Sequence, residues 1–417
     1  MEKYKILVSC YACSPLRGSE PGMGWRFVKE ISKHHEVHVI TEKEKWENDI
    51  KQHLTEHPDL TTNLYFHFIA KKRNRKLRKI WPPSYYWFYK QWQKKAFQLA
   101  KKLNSEENFD LIHQLNMVGF REPGYLWKID KPFVWGPIGG MQNTPWSLFS
   151  IFNLYGKLFY GGRNIFNSLQ LQFLKRPKLA AIRGNNSLIA ATPDIKDTIL
   201  KVWNKEAEII TEVGVEQNIS NKINIRKENS KLNIVWSGQH TSGKALNILL
   251  KSLSKLPKNM NWSLHILGSG KETQRWKKLA KTLHINTNCK WYGWVPKLEA
   301  ENVMKEGHLL CITSLKDLTS TVTLEAIALG LPVICLNHCG FSHVINESCG
   351  IKIPVTTPEN ISIGFKTAIE KLYENEVLRQ QLSQGAFLRA KSFLWEGKIN
   401  KLNQVYTHLL NESSTNS

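Results

Sequence analysis

The sequence predicts an α/β protein with two doubly wound, Rossmann-like parallel-sheet domains, and three observations support this fold class. The chain has 417 residues, which is too long for one typical core and favours two domains. Short apolar segments alternate with helical patterns almost throughout. Many of these segments are continuous apolar runs, which is the pattern of parallel strands covered on both faces.

The apolar segments divide into two sets of predicted strands. The first set comprises residues 4–9, 35–41, 64–69, 110–115, 132–136, 187–192 and 207–212. The second set comprises residues 232–237, 263–268, 290–295, 309–314, 332–336 and 350–355. In sheets of this kind ligands bind at the carboxyl ends of the strands.

A polar, charged stretch separates the two sets and predicts the domain organisation. The stretch EQNISNKINIRKENSK has few large apolar residues, so we interpret 216–230 as a linker. Residues 1–215 then form the first domain and residues 231–394 the second, and we expect the two domains to face each other across a cleft. The pattern FLWEGKINKLNQVYTHLL near the end is amphipathic and predicts a helix.

The charge is large and unevenly distributed. The formal net charge is +23, and no acidic residue occurs between Asp59 and Glu106. Residues 71–102 carry twelve Lys or Arg and eight aromatic residues. This composition predicts docking on an anionic membrane surface, where aromatic rings lie at headgroup depth. The alternative is a solvated, partly buried helical insertion. No nucleic-acid recognition motif accompanies the charge, so a nucleic-acid partner is not expected.

The cysteines and the hydropathy pattern indicate a cytoplasmic protein. The start of the chain has too short an apolar run for a signal peptide, and no run of 18 uncharged apolar residues predicts a membrane span. Most of the seven cysteines lie in apolar runs, which suggests reduced, buried thiols. Cys10 and Cys13 have the spacing of a zinc or redox pair, but no second pair matches, so we interpret them as the end of a strand.

Three strand-to-helix junctions have residues suited to binding an anion. The first carries Gly22 and Gly24, which allow a phosphate to approach the backbone ahead of a helix. In the second, VWSGQHTSGKAL, Lys244 opens a helix and can add charge to amide donors around a diphosphate. A solvated lysine there would oppose the helix dipole. The third is SLKDLTSTVTLEAIALGLPVI, residues 314–334.

The third junction places hydroxyl groups between two carboxylates. Thr319, Ser320 or Thr321 can cap the helix that follows, and their hydroxyl and N–H groups can bind a phosphate. With Asp317 in the loop, Glu325 lies about one turn inside the helix. A carboxylate that points into the site from there can accept hydrogen bonds from a pair of sugar hydroxyls. The alternative is two surface acids.

These motifs resemble the retaining family 4 glycosyltransferases of GT-B fold, over nearly the whole chain. Asp317-x7-Glu325 followed by AIALGLPVI resembles the family's E-x7-E motif. The N-terminal glycine segment, DLIHQLN, PFVWGPIGG, SGQHTSGKAL and ILGSGKE resemble further blocks of the family. The resemblance implies that the C-terminal helix, residues 395–417, packs back on the first domain. It also implies a role in lipopolysaccharide, capsule or exopolysaccharide synthesis.

The resemblance implies a role for each candidate residue in binding a nucleotide-diphosphate sugar. Glu325 would hold the ribose, Asp317 would lie near the donor sugar, and Lys244 would bind the diphosphate. The remaining donor-binding candidates are Thr319, Ser320 and Thr321 at the diphosphate, Gly22 and Gly24 beneath it, Val295 at the base, and Gln239 beside Lys244.

The sequence departs from the family pattern at three points. The family usually has Glu at position 317, and Asp is one methylene shorter. Its clamp arginine aligns with Gln239, which carries no charge, and Arg17 is a candidate to replace that cation. The usual catalytic histidine is missing after the mid-domain strand, which leaves His113 as the nearest candidate. No D-x-D sequence occurs, which agrees with a site that needs no metal or other cofactor.

The sequence therefore predicts a glycosyltransferase that takes a sugar from a nucleotide sugar. Its acceptor would be a glycan or a lipid-linked molecule at the inner face of the cell membrane. Two alternatives remain: a sugar-nucleotide epimerase or hydrolase of the same architecture, and a non-catalytic relative that binds anionic polymers or membranes.

Overall fold

A computed structural model describes residues 2–216, 222–227 and 230–415 of the protein. The chain forms two compact units, each built around one parallel sheet. Unit 1 comprises Met1–Met141, Leu169–Glu212 and Glu396–Ser417, and unit 2 comprises Gln142–Ser168 and Val213–Trp395.

Unit 1 contains a seven-stranded sheet with the order β3-β2-β1-β4-β5-β6-β7. All its pairings are parallel. The strands are β1 Lys5–Cys10, β2 Glu36–Glu42, β3 Leu64–Ile69, β4 Leu111–Asn116, β5 Phe133–Ile138, β6 Leu188–Ala190 and β7 Ala207–Ile209.

Unit 2 contains a six-stranded sheet with the order β10-β9-β8-β11-β12-β13, again with parallel pairings. The strands are β8 Leu232–Ser237, β9 Trp262–Leu267, β10 Cys289–Gly293, β11 Leu309–Ile312, β12 Val333–Leu336 and β13 Gly350–Ile353. Every strand of both sheets coincides with a predicted segment, because the buried apolar runs that form the strands are visible in the sequence.

The helices connect the strands in the alternating order that a parallel sheet requires. Those before β8 are α1 Ser19–Ile31, α2 Lys43–Glu56, α3 Arg75–Ile80, α4 Ser84–Glu107, α5 Leu154–Phe173, α6 Lys175–Arg183 and α7 Pro193–Trp203. Those after β8 are α8 Leu246–Leu253, α9 Thr273–Thr282, α10 Lys297–Lys305, α11 Thr321–Ala328, α12 Phe341–Val344, α13 Pro358–Glu374, α14 Glu376–Lys391 and α15 Trp395–Thr415.

Both sheets reverse their strand order at one point, which defines where a ligand is expected. In unit 1 the chain moves to opposite sides of β1, so β1 and β4 flank the reversal. In unit 2 β8 and β11 flank it in the same way. Loops at the carboxyl ends of two such strands diverge and leave a crevice. We therefore expect a ligand site at the segments after β8 and β11.

The largest difference between the two units and the predicted domain boundaries concerns one segment. Residues 142–168 precede the predicted boundary at 215, yet they group with unit 2. Part of the predicted linker, 217–221 and 228–229, lies outside the described residues. The boundaries 1–215, 216–230 and 231–394 therefore stay a prediction.

Helix α15 contacts the body of unit 1 through several hydrogen bonds. The hydroxyl of Thr407 on the helix lies 3.3 Å from the hydroxyl of Tyr4. The side-chain oxygen of Asn403 lies 3.1 Å from Nε2 of His35. Cys10 ends β1, as expected from the sequence. In the described ranges, no helix combines the length and the apolar composition needed to cross a membrane.

Candidate active site

The segments after β8 and β11 bring together two charged residues that are 73 positions apart. The ammonium of Lys244 donates a hydrogen bond to Oδ2 of Asp317 and forms an ion pair with it. The side chains are 26% and 22% exposed, so both remain accessible to a ligand. An ion pair at this exposure contributes about 1 kcal/mol or less to stability.

Lys244 is held in place through its backbone rather than by its own helix. It ends a short 3₁₀ turn, Ser242–Lys244, and α8 begins two residues later. The hydroxyl of Thr313 donates to the carbonyl of Lys244 at 2.7 Å and accepts from the indole of Trp236 at 3.1 Å. The N–H of Leu315 donates to the carbonyl of Gly243 at 2.9 Å. These bonds fix the β8 loop against the end of β11.

A second pair of loops supports the same edge of the sheet. The N–H of His240 donates to the carbonyl of Ser269, and the N–H of Glu272 donates to the carbonyl of His240, each at 3.0 Å. Gly268 has a φ of +108°, and a Cβ there would lie 2.1 Å from the carbonyl oxygen of Gly238. Only glycine allows this approach, so the ILGSGKE block positions the loop that carries Gln239 and Lys244.

The hydroxyl-rich segment lies at the N-terminus of α11. Ser320 is the residue that caps the helix, and its side chain makes no capping hydrogen bond. Thr319 is buried, Ser320 is half-buried and Thr321 is exposed. A helix N-terminus whose cap makes no side-chain hydrogen bond leaves backbone N–H groups free for an anion. Asp317 precedes this helix in the loop, as predicted.

Glu325 lies one turn into α11 and is half-buried. Among the described residues its carboxylate has no hydrogen bond or ion pair. Burial raises its pKa above the ordinary value; Lys297 opposes that shift and Glu301 adds to it. A carboxylate that is partly withdrawn from water and has no protein partner is destabilised, and it can accept hydrogen bonds from a ligand.

Gln239 and Val295 follow two strands, β8 and β10, that flank β9 in the sheet. Gln239 comes directly after β8 and is exposed, and Val295 is half-buried just beyond β10. Val295 also packs against the hydrophobic core of unit 2. The structure thus places Lys244, Asp317 and the start of α11 beside the β8–β11 reversal, with Gln239 at the same sheet edge.

Two non-glycine residues next to this site adopt left-handed backbone conformations. Ala245, directly after Lys244, has a φ of +48°, and Ser320 has a φ of +65°. Such conformations cost on the order of 1–3 kcal/mol and concentrate at functional sites. Sequence patterns do not reveal them, because neither residue is a glycine or asparagine.

Gly22 and Gly24 lie inside α1 rather than in a loop. A Cβ on Gly22 would lie 2.2 Å from the carbonyl oxygen of Arg17. A Cβ on Gly24 would lie 2.2 Å from the carbonyl oxygen of Ala12 and 2.6 Å from the sulfur of Cys10. Both glycines therefore let the helix pack against the segment after β1. Arg17 is exposed and forms an ion pair with Asp49 at 3.5 Å.

The surroundings of His113 favour a structural role over the predicted catalytic one. Its ring is fully buried in β4. Nδ1 lies 2.7 Å from the hydroxyl of Tyr406 on α15, and Nε2 lies 2.8 Å from the carbonyl oxygen of Gly136. Nε2–H therefore donates to the carbonyl while Nδ1 accepts from the tyrosine. Burial lowers its pKa to about 4. With both nitrogens engaged, His113 has no free position for proton transfer.

Two residues at the corresponding edge of unit 1 were missed by sequence reasoning. Asn116 donates to the carbonyl of Ala12 at 2.7 Å and joins the ends of β4 and β1. Glu20, in the first turn of α1, accepts from the N–H of Val118 at 2.6 Å, and burial raises its pKa. The motif GSEPGMG contains Glu20, but its glycines are the more conspicuous signal.

The basic aromatic segment 71–102 forms α3 and most of α4, and two of its cations are used internally. Lys71 is buried, donates to the hydroxyl of Tyr11 at 2.9 Å, and lies 3.8 Å from the ring centre of Tyr85. Burial lowers the pKa of Lys71 to about 7. Arg73 pairs with the buried Glu42 at 2.6 Å. Lys71 therefore does not contribute to an exposed basic surface, and the charge of Arg73, which is exposed, is balanced by Glu42.

Comparison with known proteins identifies the family and the fold. Residues 216–389 match the family described as "Glycosyl transferases group 1". An uncharacterized glycosyltransferase of Methanocaldococcus jannaschii is 22% identical over 233 residues, which cover 52% of this chain and 59% of that protein. The lipopolysaccharide 1,6-galactosyltransferase of Escherichia coli is 32% identical over 123 residues, which cover 28% of this chain and 33% of that protein. The chain thus spans less than two thirds of these curated relatives.

Solved structures match over almost the whole chain. Crystal structures of HepE from Anabaena, in complex with UDP and with UDP-glucose, align with TM-scores of 0.62 and 0.57 at 14% identity. Both alignments cover 99% of this chain and 100% of that one. The recognition made from the sequence motifs is confirmed: residues 216–389 belong to the group 1 glycosyltransferases, and the chain has the GT-B fold.

Proposed function

We propose that this protein is a retaining glycosyltransferase that moves a sugar from a nucleotide-diphosphate donor to a glycan or lipid-linked acceptor. The observation that carries the proposal is the half-buried Glu325 carboxylate, which has no protein partner among the described residues. It lies one turn behind the loop in which Asp317 meets Lys244.

In this proposal the donor lies along the carboxyl edge of the unit 2 sheet. Its diphosphate binds Lys244 and the first amides of α11, with hydroxyl contacts from Thr319, Ser320 or Thr321. Glu325 accepts hydrogen bonds from the ribose hydroxyls, and the base lies by Val295. HepE, which shares the fold, is described in complex with UDP and with UDP-glucose, which supports a uridine nucleotide as the first donor to test.

The chemistry that these groups can supply is stabilisation of the departing diphosphate. Negative charge grows on the phosphate oxygens as the glycosidic bond breaks, and a fixed ammonium and oriented amides stabilise it. Without a donor, Asp317 holds the Lys244 ammonium; with a donor, the phosphate competes for that ammonium and Asp317 turns to the sugar. The retaining stereochemistry rests on the family resemblance alone.

We propose that the acceptor is presented at the cytoplasmic face of a membrane, where α3 and α4 dock. Ile80, Trp81, Tyr86 and Trp87 are exposed large apolar residues on this segment. Exposed cations accompany them at Arg75, Lys76 and Lys79. The similarity to a lipopolysaccharide galactosyltransferase supports a surface polysaccharide or its lipid-linked precursor as the acceptor.

Turnover with labelled nucleotide sugars tests the reaction and separates it from its alternatives. A transferase releases nucleoside diphosphate and labels a glycan or lipid only when membrane extract supplies an acceptor. Equal turnover of the nucleotide sugar without extract would indicate an epimerase or hydrolase. A Glu325→Ala protein that retains every measured function would indicate a non-catalytic binder instead.

Membrane docking through α3 and α4 is tested separately by co-sedimentation with anionic vesicles. Replacing Arg75, Lys76 and Lys79 by Gln removes three exposed cations and should weaken binding at low salt, where surface charge acts most strongly. Replacing Lys271, Lys278 and Lys281 in unit 2 removes the same charge elsewhere. If both variants bind vesicles equally well, α3 and α4 are not the docking surface.

A further inference from the structure

Helix α5 presents an apolar face to solvent, and no element among the described residues covers it. Between residues 154 and 166, six large side chains of the helix are between 50% and 76% exposed: Leu154, Tyr155, Leu158, Phe159, Ile165 and Phe166. At 100° per residue these positions span an arc of about 140° on one side of the helix. We call these six residues the α5 apolar face. Contiguous exposed apolar surface of this kind marks an interaction site.

The opposite side of the helix packs within unit 2 through small and polar residues together with Tyr160, which packs against the hydrophobic core. Gly156, Gly161, Asn164 and Asn167 are its buried residues. Asn164 donates to the carbonyl of Thr144 at 2.7 Å and accepts from the N–H of Thr144 at 2.9 Å. An ordinary surface helix buries its apolar side and exposes its polar side. In α5 most large apolar side chains face solvent, and the hydrogen bonds of Asn164 fix the helix in this orientation. The outward apolar face is therefore part of the folded structure.

The stretch of sequence that contains α5 carries positive charge only. No acidic residue occurs from 131 to 193, and seven Lys or Arg residues do. On the helix itself, the side chains of Lys157 and Arg163 are exposed and have no ion-pair partner among the described residues. Trp146, which is 57% exposed, lies 3.7 Å from the position of a Cβ on Gly161. Apolar side chains with flanking cations and tryptophan suit the boundary of an anionic bilayer.

We infer that the α5 apolar face inserts into the interfacial region of an anionic membrane. The same charge pattern argues against a second copy of this chain as the occupant. A symmetric dimer would place the same patch on both sides of the interface, so that unpaired cations would meet cations. Phosphate headgroups supply the missing negative charge, and the acyl boundary accepts the leucine and phenylalanine side chains.

This surface is distinct from α3 and α4 in how it should respond to salt. Binding through exposed cations weakens as ionic strength rises, because surface charges are screened. Burial of apolar side chains is not screened, so the α5 apolar face should keep part of the binding at about 0.5 M NaCl. Insertion needs no nucleotide sugar, so its test does not depend on the proposed transfer reaction.

Co-sedimentation of the full chain with phosphatidylglycerol–phosphatidylcholine vesicles at low and high salt tests the inference. A Leu158→Ser, Phe159→Ser, Phe166→Ser variant should lose at least tenfold in binding at high salt. The matched control replaces Ile363, Val377 and Leu388, which are exposed apolar residues elsewhere in unit 2, by Ser. That control should bind like the wild-type protein.

A second variant tests the same inference if the serine variant does not fold. Lys157→Glu with Arg163→Glu changes only exposed charges and should weaken binding to anionic vesicles, with little change for phosphatidylcholine alone. Circular dichroism and sedimentation velocity accompany both variants. Wild-type vesicle binding by the serine variant would overturn the inference. A wild-type dimer that the serine variant dissociates, with vesicle binding unchanged, would overturn it in favour of an interface between copies.

Discussion

We expect the Glu325 carboxylate to lower the stability of the ligand-free protein. Because burial raises its pKa, the folded state binds a proton more readily than the unfolded state. Between the unfolded and the raised folded pKa, stability therefore falls as pH rises, and the full cost is present at neutral pH. An acid kept in such a state is typical of a site where ligand binding compensates the cost.

Replacing Glu325 by Gln should therefore raise the melting temperature of the ligand-free protein at pH 7. The gain should shrink as pH falls, because the wild-type carboxyl group then becomes neutral as well. Thermal unfolding at several pH values measures this, with Glu299→Gln, an exposed acid on α10, as the control. A lower melting temperature for Glu325→Gln at pH 7 would mean that Glu325 supports the fold.

Lys244 and Asp317 should matter for turnover far more than for stability. Lys244→Met removes the cation proposed to stabilise the leaving diphosphate, so kcat should fall roughly 10²- to 10³-fold. Asp317→Asn leaves Lys244 in place and breaks the ion pair. A double-mutant cycle on unfolding should give a coupling of about 1 kcal/mol or less for this partly exposed pair. Unchanged turnover in Lys244→Met would remove this residue from the mechanism.

At the residue scale, the sequence indicates candidate site residues but not the contacts between their side chains. Lys244 and Asp317 were each found from the strand ends that precede them, yet their ion pair joins two loops 73 residues apart. The left-handed Ala245 and Ser320 were also invisible, since they depend on how these loops pack. His113 is the reverse case, because a histidine near a strand end suggests a catalytic role. The structure shows that both of its ring nitrogens are hydrogen-bonded, to the hydroxyl of Tyr406 and to the carbonyl oxygen of Gly136.

At the scale of elements, helix α1 explains why a glycine motif was misplaced. Glycines after a strand suggest a loop that approaches a phosphate, and Gly22 and Gly24 were interpreted in this way. In the structure the helix already begins at Ser19, and its glycines face the backbone at Ala12 and Arg17. Strands were predicted more reliably because a continuously buried strand is visible as an apolar run in the sequence. A glycine, in contrast, is compatible both with a phosphate-binding loop and with a helix packed closely against backbone, so the sequence does not separate the two.

Gly24→Ala should destabilise the protein by about 1–3 kcal/mol, because the added Cβ would lie 2.2 Å from a backbone oxygen that cannot move freely. Gly18→Ala is the matched control, since nothing lies within 4 Å of its Cβ position. Chemical denaturation of both variants measures the difference. Equal stability of Gly24→Ala and Gly18→Ala would show that α1 shifts easily and that the packing role is wrong.

At the scale of the whole molecule, buried histidines link stability to acid. Burial lowers the pKa of His113, His240 and His308 from 6.5 to about 4. Each therefore binds a proton more readily in the unfolded state between these values, and its contribution to stability is lost as pH falls through that window. Replacing His308 by Asn should remove part of this loss, so the urea midpoint of the variant should fall less than that of the wild-type protein between pH 6.5 and pH 4. An equal change in both proteins would contradict this assignment.

The composition of residues 71–102 does not show which of their cations reach the surface. The net charge of +23 and the aromatic content of residues 71–102 suggested a membrane surface, but they do not separate buried from exposed cations. Lys71 is buried against Tyr11 and the exposed Arg73 is paired with Glu42, while Arg75, Lys76 and Lys79 are exposed and have no acidic partner among the described residues. The α5 apolar face was not anticipated, because an amphipathic pattern does not say which side of a helix faces inward.

The most direct measurement is isothermal titration calorimetry of UDP and UDP-glucose against the wild-type protein and Glu325→Gln. We expect one saturable site in the wild-type protein. The affinity of Glu325→Gln should be roughly 10- to 150-fold weaker, since a hydrogen bond to a charged group contributes about 1.5–3 kcal/mol. If these ligands and a panel of other nucleotide sugars fail to bind the wild-type protein, or bind Glu325→Gln equally well, the donor site proposed along β8 and β11 is wrong.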